Sequence, residues 1–334
     1  MGITIKQIAA DLNLAVSTVS KALGDSYEIS PETKARVFEY AAKMDYKPNP
    51  YASSLKRGRS GNIAVVLPEV SDSFFSSAID GIETVAQEKG YHVMVYLTHE
   101  DVSREASIVR EFRHGRVDGV LMSVSAGDKE PEHLKDLGAS DIPVVFFDRV
   151  YEQMKAPNVI TNDFESGRVA AMHLISRGCK RLAFLALEGN LDIIRQRQMG
   201  FEQALTDARA ASTKNMIITL GNDAEENVTK LAGLFKEKTR PDGVVGSVEK
   251  VAMHVYTVCH QSGLSIPKDV KVIAFSHLNI ASLLNPSLTT ITQPAFEMGK
   301  TAATLLFKSL DKKSELKKES IILKSQLIER DSTK

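Results

Sequence analysis

The hydrophobic and polar positions of the first 48 residues predict three short helices. Thr4 and Gln7 have the spacing of a capping box, and an apolar stripe of helical period follows them. A second stripe runs over residues 16–23, and Gly24 stands where that helix would end. The third helix has the clearest start, because Ser30-Pro31-Glu32 supplies a cap, a proline at the first helical position and an acid in the first turn.

After residue 60 the pattern changes to short apolar runs that alternate with amphipathic helical stretches. The expected strands are Ile63–Leu67, His92–Leu97, Gly119–Met122, Val144–Phe147, Leu182–Leu185, Met216–Thr219, Gly243–Val245 and Val270–Phe275. The expected helices include Ile79–Lys89, Gly167–Arg177, Gly200–Arg209 and Ala252–Ser262. Such alternation predicts parallel sheets with helices on both faces, and the number of strands favours two similar lobes over one sheet.

Residues 4–23 have the dimensions of a helix-turn-helix. The second helix carries polar residues at its start, and these could reach base edges in the major groove of DNA. A generic helical hairpin has the same spacing, so the pattern by itself leaves both interpretations open. We expect a helix-turn-helix headpiece at residues 1–48 and, after Pro48, a hinge helix or linker at residues 49–60.

The linker carries Leu55 beside Lys56 and Arg57. It is too short and too polar to form a stable isolated helix. A segment that folds only against DNA could insert Leu55 between base steps while the basic side chains approach phosphates. An exposed flexible linker explains the same residues equally well.

Composition narrows the class of protein. The formal net charge is zero, yet residues 1–60 hold nine Lys or Arg against six Asp or Glu, and this net of +3 hints at a polyanionic partner. Cys179 and Cys259 are far apart, which suits a reducing compartment and excludes a cysteine-based metal cluster. No signal-peptide pattern opens the sequence and no apolar run is long enough to span a bilayer, so we expect a cytoplasmic protein without membrane contact.

The sequence contains no phosphate-binding loop, zinc-protease motif or nucleophile elbow. His92 and His99 flank one strand, but the histidines are otherwise scattered and do not favour a metal site. We therefore expect no enzymatic activity, no metal and no cofactor.

Four segments near the start of the chain together resemble a known sequence pattern. They are Thr4–Ala9, Ser17–Leu23, Ile29–Thr33 and Tyr46–Leu55. Together they resemble the DNA-binding headpiece and hinge of the LacI/GalR (lactose-repressor) family. The resemblance continues in order through Phe147–Arg149, His173–Gly178, Arg197–Phe201, Pro241–Gly243, Pro286–Ile291 and Leu327–Ser332. It implies a transcription regulator, most simply a repressor, whose homodimer places two headpieces on a pseudo-palindromic double-stranded operator.

The resemblance also implies which residues contact DNA. Val16, Ser17 and Lys21 would occupy base-reading positions, and Leu55 would be the hinge leucine that intercalates in the minor groove. The full implied set is Thr4, Val16, Ser17, Thr18, Ser20, Lys21, Tyr51, Ser54, Leu55, Lys56 and Arg57. One departure is Ala15, which stands where the family often has a capping serine, so the recognition helix is expected to lack a side-chain cap.

For residues 61–334 the resemblance implies a two-lobed α/β domain, like periplasmic binding proteins, with Rossmann-like parallel sheets. A small-molecule effector, such as a carbohydrate, would bind between the lobes. One lobe would comprise about 61–161 with 292–319, and the other about 162–291 with 320–330. The implied cleft residues are Phe74, Phe75, Asp148, Asn162, Asp163, Arg197, Val248 and Ser276. Core packing is the alternative for the two phenylalanines, and a surface ion pair is the alternative for Arg197.

Two cleft positions depart from the sugar-binding pattern. Ser276-His277 replace an aspartate that usually follows the strand, and Val248-Glu249 replace an Asn-Asp-like pair. These changes weaken the case for a common free hexose. They leave open a phosphorylated carrier protein that docks outside the cleft as a corepressor. A solute-binding protein of transport shares the implied fold, but the headpiece argues against it.

The end of the chain is expected to form returning strands at residues 320–323 and 327–329. No leucine heptad follows them, so we expect a dimer held through lobe surfaces and not a tetramer. On this reasoning, removal of residues 331–334 leaves the assembly unchanged.

Overall fold

The computed structural model describes residues 3–46, 59–70, 73–112, 115–127, 132–189, 191–208, 215–221, 223–312 and 319–334. The chain divides into two compact units, Met1–Ser60 and Gly61–Lys334. The implied hinge contacts Tyr51, Ser54, Leu55, Lys56 and Arg57 lie outside the described residues.

The first unit contains three helices, α1 (Ile5–Asp11), α2 (Val16–Leu23) and α3 (Pro31–Lys43). The capping box at Thr4 forms as expected, since its side chain and that of Gln7 each accept the other residue's backbone N–H. Ser30 caps α3 by accepting the N–H of Thr33. The apolar stripes meet in one small core of Ile8, Ala9, Val19, Ala22, Val37 and Ala41. The helical reading of this part of the sequence is confirmed.

The second unit contains two sheets, each of six strands within the described residues. The strands are β1 (Asn62–Leu67), β2 (His92–Leu97), β3 (Gly119–Met122), β4 (Val144–Phe147), β5 (Asn158–Thr161), β6 (Leu182–Leu187), β7 (Met216–Leu220), β8 (Gly243–Gly246), β9 (Lys271–Phe275), β10 (Thr289–Thr292), β11 (Ser320–Leu323) and β12 (Gln326–Ile328). The helices are α4 (Ser73–Glu88), α5 (Val102–Phe112), α6 (Glu132–Gly138), α7 (Asp163–Ser176), α8 (Asp192–Asp207), α9 (Ala224–Lys236), α10 (Glu249–Ser262) and α11 (Ala295–Lys312).

Both sheets have the same doubly wound order. The first runs β11-β5-β4-β3-β1-β2 and is parallel throughout, with α4 and α11 packed in one core cluster and α5 and α6 in the other. The second runs β12-β10-β9-β8-β6-β7, and only the pairing of β12 with β10 is antiparallel. Its helices α7 and α8 contribute to one apolar cluster, and α9 and α10 to the other. The expected two-lobed α/β architecture is therefore confirmed.

One assignment of the chain to the lobes is wrong. Residues 320–323 were expected in the second lobe, but β11 adds in parallel to the edge strand β5 of the first sheet, with Ser320 opposite Asn158. The chain crosses to the second sheet only after β11, where β12 pairs with β10. The physical reason is that β11 follows α11, which already packs on the first sheet, so the open edge of that sheet is the nearest partner.

All eight strands that were expected from apolar runs form. β5 and β10 were not among them, because their sequences contain no such run. β10 reads Thr-Thr-Ile-Thr, yet its first three residues are buried. The hydroxyls of Thr289 and Thr290 are hydrogen-bonded inside the lobe, which removes the penalty for burying them. Helix α4 begins at Ser73, six residues before the expected start, because its first turn is apolar on a face that packs against the sheet.

Candidate functional site

A cleft between the two lobes lies at the carboxyl ends of the parallel strands, where doubly wound sheets bind ligands. The empty space between its walls, counted together with open solvent, is about 370 Å³. The lining residues are Phe74, Phe75, Asp148, Arg149, Ile193, Arg197, Val248, Glu249, Phe275, Ser276, His277 and Gln293. Each lobe contributes to both the aromatic and the charged part of this lining.

Arg197 is the most buried cation of the cleft, with only 2% of its side chain exposed. Its Nε donates to Asp163 Oδ1 at 2.7 Å, and its Nη1 donates to the Ser247 carbonyl oxygen at 2.7 Å. The guanidinium carbon lies 4.2 Å from the ring centroid of Phe275. Within the described residues its Nη2 has no hydrogen-bond partner. A buried donor of this kind is costly unless a ligand or water completes it.

Arg149 takes a comparable position on the first lobe. Its Nη1 donates to Glu100 Oε1 at 2.7 Å, and its Nε lies 3.8 Å from Asp148 Oδ2. The guanidinium carbon is 5.9 Å from the Phe75 ring centroid. Its Nε is buried and lacks a hydrogen-bond partner in the described part of the chain. The preceding residue, Asp148, has a left-handed φ of 60°, which turns the chain sharply at the end of β4.

Glu249 joins two cleft positions that differ from the sugar-binding pattern. Its Oε2 accepts a hydrogen bond from Ser276 Oγ at 2.8 Å, so a carboxylate stands beside the place where Ser276 replaces an aspartate. The same oxygen is 3.4 Å from Ser73 Oγ, at the start of α4 in the other lobe. Glu249 therefore restores negative charge to this corner of the cleft and links the two lobes.

The phenylalanines of the cleft belong both to the hydrophobic cores of the lobes and to the lining of the cleft. Phe74 and Phe75 are buried in the core cluster of the first lobe and also line the cleft. Phe275, at the end of β9, does the same in the second lobe. The two interpretations offered by the sequence are thus not exclusive, because one ring has an edge for the core and a face for the cleft.

Six of the eight implied effector contacts line the cleft, and Asn162 and Asp163 do not. Asn162 lies at a crossing between lobes, where its Oδ1 accepts the N–H of Ser325 at 2.8 Å. Asp163 is buried behind Arg197, and its second carboxylate oxygen accepts a hydrogen bond from Thr161 Oγ1 at 2.8 Å. Their side chains are used inside the protein, so they position the site.

The headpiece presents the implied base-reading residues on α2. Val16 is 42% exposed and Ser17 is exposed, while Val19 and Ala22 on the opposite side are fully buried. Thr18 and Ser20 are half-buried. Ala15 precedes the helix without a side-chain cap, as expected, which leaves amide donors at the helix start for another acceptor. Thr4 is exposed, but its hydroxyl is engaged with Gln7 in the capping box.

Lys21 is the one implied base contact whose polar end is already paired. Its Nζ forms an ion pair with Glu28, in the turn that joins α2 to α3. A second ion pair crosses the same turn, with Lys34 Nζ 2.6 Å from Asp25 Oδ1. The turn therefore places two carboxylates beside the proposed DNA face.

The thiols offer no reactive group. Burial, with a smaller contribution from Asp242, raises the pKa of Cys179 to about 12. Burial likewise raises the pKa of Cys259 to about 11. Both side chains are therefore protonated at neutral pH and behave as small apolar groups.

Comparison with known proteins identifies both units. Residues 4–49 match the family described as bacterial regulatory proteins, lacI family, and residues 171–333 match the periplasmic binding protein-like domain. The HTH-type transcriptional regulator RegA of Clostridium acetobutylicum is 31% identical over 339 residues, which cover all of both chains. The chain belongs to the lacI family. It is a DNA-binding transcription regulator with a helix-turn-helix headpiece and a periplasmic-binding-protein-like domain.

Other lacI-family members match along nearly their whole length. The ribose operon repressor of Halalkalibacterium halodurans is 28% identical, over 99% of this chain and 97% of its own. The structure of a LacI family transcriptional regulator from Enterococcus faecium with bound ribose has 26% identity and a TM-score of 0.71, over 81% of this chain and 98% of its own. The lac repressor dimer bound to operator has a TM-score of 0.86 at 21% identity, over 100% and 99%, and this likeness concerns the fold.

Several residues that line the cleft of this lacI-family protein were not in the implied set of contacts, although Glu249 and His277 had been noted beside it as departures from the sugar-binding pattern. They are Arg149, Ile193, Glu249, Phe275, His277 and Gln293. A signal existed for half of them, since Arg149, His277 and Gln293 come one or two residues after the carboxyl end of a strand. In the described parts of the chain no group of three or more His, Cys, Asp or Glu side chains could hold a metal. No helix there is long and apolar enough to cross a membrane.

Proposed function

We propose that this chain is a cytoplasmic, homodimeric repressor whose operator affinity is controlled by a small molecule, a carbohydrate or a close derivative, bound between the lobes. The observation that carries the proposal is a cleft lined from opposite lobes by Arg149 and Arg197, each of which has one buried guanidinium nitrogen without a hydrogen-bond partner within the described residues. Water fills such a site in the absence of a ligand, and a ligand with several oxygen atoms satisfies it better.

On the DNA side, each headpiece would read one half of a pseudo-palindromic operator through Val16, Ser17 and Lys21. Val16 offers a methyl surface for a thymine, Ser17 one hydrogen bond, and Lys21 a donor for guanine. A single headpiece has too few such side chains to select a genomic site, so a homodimer supplies the second half-site. The hinge leucine Leu55 would open the minor groove between the half-sites.

On the effector side, the names of relatives point to carbohydrates. Several are ribose operon repressors, and solved relatives hold ribose or cellobiose. Ligand-dependent closure would move the lobes against each other and change the packing of the hinges, which couples ligand concentration to DNA affinity. A phosphorylated carrier protein as corepressor is the alternative, and the catabolite control protein A of Priestia megaterium is 26% identical. The built cleft favours the small molecule.

The test has two stages and uses the full chain. Selection from a random duplex library should return a two-fold symmetric consensus, and exchange of Val16 and Ser17 should change one or two base positions in each half-site. Each position is worth about 1–3 kcal/mol. A panel of free sugars that includes ribose and cellobiose should then change the affinity for the selected operator. The proposal fails if the consensus lacks symmetry, or if no sugar binds the chain while a phosphorylated carrier protein does.

A further inference from the structure

A hydrogen-bond link joins the two lobes at the cleft. Glu249, in the first turn of α10, belongs to the second lobe, and Ser73, the first residue of α4, belongs to the first lobe. Ser73 Oγ donates to Glu249 Oε2 at 3.4 Å. The same oxygen accepts the hydroxyl of Ser276 at 2.8 Å. One carboxylate oxygen thus holds a hydroxyl group from each lobe.

From this arrangement we infer that Glu249 is an inter-lobe latch, a carboxylate that favours closure of the cleft by accepting a hydrogen bond from Ser73 of the opposite lobe. The inference rests on the proposed function, because it concerns the closure through which a small molecule would change operator affinity. The latch consists of the chain's own groups, so it stabilises the closed arrangement with or without an effector. It therefore sets how far the lobe equilibrium lies toward closure before the effector contributes.

The hydroxyl of Ser276 fixes the position of Glu249. The backbone N–H of Leu278 donates to Ser276 Oγ at 3.0 Å, so the single hydroxyl proton of Ser276 remains for Glu249 Oε2. Ser276 is only 4% exposed, and it directly follows β9. The carboxylate of Glu249 is therefore held from within its own lobe, and its contact with Ser73 breaks when the lobes open.

The start of α4 favours a carboxylate at this place. Ser73 begins a 16-residue helix, whose first amide groups have no acceptor within the helix and give that end a partial positive charge. Glu249 stands in the place of the acid of the Asn-Asp-like pair, and its side chain is longer than that of aspartate by one methylene group. The extra length lets a residue of α10 reach the hydroxyl of Ser73, and a shorter acid loses the link.

The lobes also touch through apolar atoms. Ala126 of the first lobe packs against a core cluster of the second lobe, and a Cβ added at Gly189 would lie 3.1 Å from the Cβ of Ala126. This contact involves neither Ser73 nor Glu249. Loss of the latch therefore shifts the lobe equilibrium toward the open arrangement and does not abolish closure.

Hydrogen exchange of the full chain without any sugar tests the latch directly. Phe74 and Phe75, in the first turn of α4, are buried beside the cleft, so their amides should exchange faster when the lobes open. Glu249→Asp changes no atom of α4, yet it should speed this exchange by roughly twofold to tenfold, the contribution of one hydrogen bond. Ser73→Ala should do the same from the other lobe.

Ser103→Ala is the matched control for Ser73→Ala. Ser103 also lies in the first turn of a helix and its Oγ also donates to a carboxylate, at 2.6 Å, but that carboxylate belongs to Asp101 of the same lobe. Its removal costs a comparable hydrogen bond without affecting a contact between lobes. Exchange in the first turn of α4 should therefore match that of the wild type.

Sugar binding supplies a second test, and it uses Ser73→Ala because the cleft lining does not include Ser73. With the sugar that most changes operator affinity, this variant should bind roughly twofold to tenfold more weakly than the wild type. Without sugar, its operator affinity should move away from the sugar-saturated value. At saturating sugar it should equal that of the wild type, since the latch changes the lobe equilibrium and not the closed state itself.

Three results would overturn the latch and leave the proposed function standing. They are exchange that Glu249→Asp or Ser73→Ala leaves unchanged, sugar affinity that Ser73→Ala leaves unchanged, and an operator affinity of Ser73→Ala that differs from the wild type at saturating sugar. Failure of every sugar to bind the wild type overturns the proposed function, and the exchange measurement then decides the latch by itself.

Discussion

In the proposed complex with DNA, the charge that α2 offers depends on the ion pair between Lys21 and Glu28. A lysine held by a carboxylate keeps N–H donors for a base edge, but attracts phosphates less than a lone ammonium does. The ion pair between Lys34 and Asp25 in the same turn differs in one respect. Lys34 Nζ also lies 3.2 Å from the backbone carbonyl oxygen of Asp25, so a hydrogen bond holds Lys34 even when the Asp25 carboxylate is removed. These two pairs therefore offer a matched comparison at the scale of single residues.

We predict that Glu28→Gln raises the affinity of the full chain for random duplexes and reduces its preference for the selected operator. The freed Lys21 would add about one phosphate contact, which makes the slope of log K against log salt steeper by about one unit. The measurement is a salt titration by fluorescence anisotropy on both duplexes. Asp25→Asn removes the same charge but leaves Lys34 tethered, so its slope should match the wild type. Equal slopes for both variants would contradict the role of Glu28.

A second residue-scale prediction concerns pH. Burial lowers the pKa of His173 below its ordinary value of 6.5, although Glu329 raises it in part, and burial lowers the pKa of His254 in the same direction. The unfolded chain then takes up protons first as the pH falls below about 6.5, so the contribution of these residues to stability is complete above that pH and is lost below it. Urea unfolding at pH 7.5 and pH 5.5 should show lower stability in acid. The difference should shrink in His173→Gln, and an undiminished difference would contradict the assignment.

At the scale of elements, the position of Arg197 depends on how closely α7 and α8 cross. A Cβ at Gly200 would lie 1.9 Å from the Phe164 carbonyl oxygen, and a Cβ at Gly167 would lie 2.0 Å from that of Arg197. The two backbones therefore touch through reciprocal glycines. Helices α4 and α11 of the first lobe cross in the same way, with Gly81 against the backbone of Phe296 and Gly299 against that of Ala78.

We predict that Gly200→Ala lowers the free energy of unfolding by about 1–3 kcal/mol or more, because α7 must move away from the new methyl group. Arg197 lies one turn earlier on the same helix, so effector affinity should fall as well. Gly233→Ala is the control, since nothing lies within 4 Å of a Cβ at that helical position. It should raise stability by about 0.5–1 kcal/mol. Similar unfolding curves for the two variants would show that the crossing tolerates a side chain.

At the scale of the whole molecule, the C-terminal residues prove to be part of the second lobe. Ser332 and Thr333 are fully buried. Ser332 Oγ donates to the Val272 carbonyl oxygen at 2.6 Å and accepts the Thr289 N–H at 2.8 Å, and Thr333 Oγ1 lies 2.8 Å from His173 Nε2. The sequence analysis expected removal of residues 331–334 to leave the assembly unchanged, and their burial shows that these residues also belong to the fold of the second lobe.

We therefore predict that deletion of residues 331–334 lowers the stability of the folded chain. A change in assembly after this deletion would then not by itself locate the dimer interface. The loss of three buried hydrogen bonds, at about 1 kcal/mol each, should lower the free energy of unfolding by about 3 kcal/mol. Differential scanning calorimetry of the truncated chain measures this. Deletion of Lys334 alone removes exposed contacts and should have little effect. A truncated chain as stable as the wild type would refute the structural role, while light scattering of both chains would test whether a dimer persists.

Much of the fold follows from local pattern. The headpiece helices start where Thr4 and Ser30 supply caps, and apolar runs mark each buried parallel strand such as β1, because these signals act within a few residues. The end of α2 shows the limit of such signals. The helix ends at Leu23 with Gly24 as its C-cap, as expected, but the φ of Gly24 is −87° and the left-handed residue is Asp25, with a φ of 52°. The ion pair of Asp25 with Lys34 on α3 stabilises that residue from outside the local sequence.

The sequence by itself determined the two-unit organisation, the two-lobed α/β class and half of the residues that line the cleft, because periodicity and motif resemblance depend on order along the chain. Tertiary structure alone decided which side chains line the cleft. Asp163 lies behind the cleft, where it accepts a hydrogen bond from Arg197. Arg149, which is paired with Glu100, and Glu249, which is paired with Ser276, both line the cleft. The reason is that each polar side chain hydrogen-bonds to neighbours that are close in space but distant in sequence. In the same way, β11 pairs with the sheet whose open edge is nearest in space.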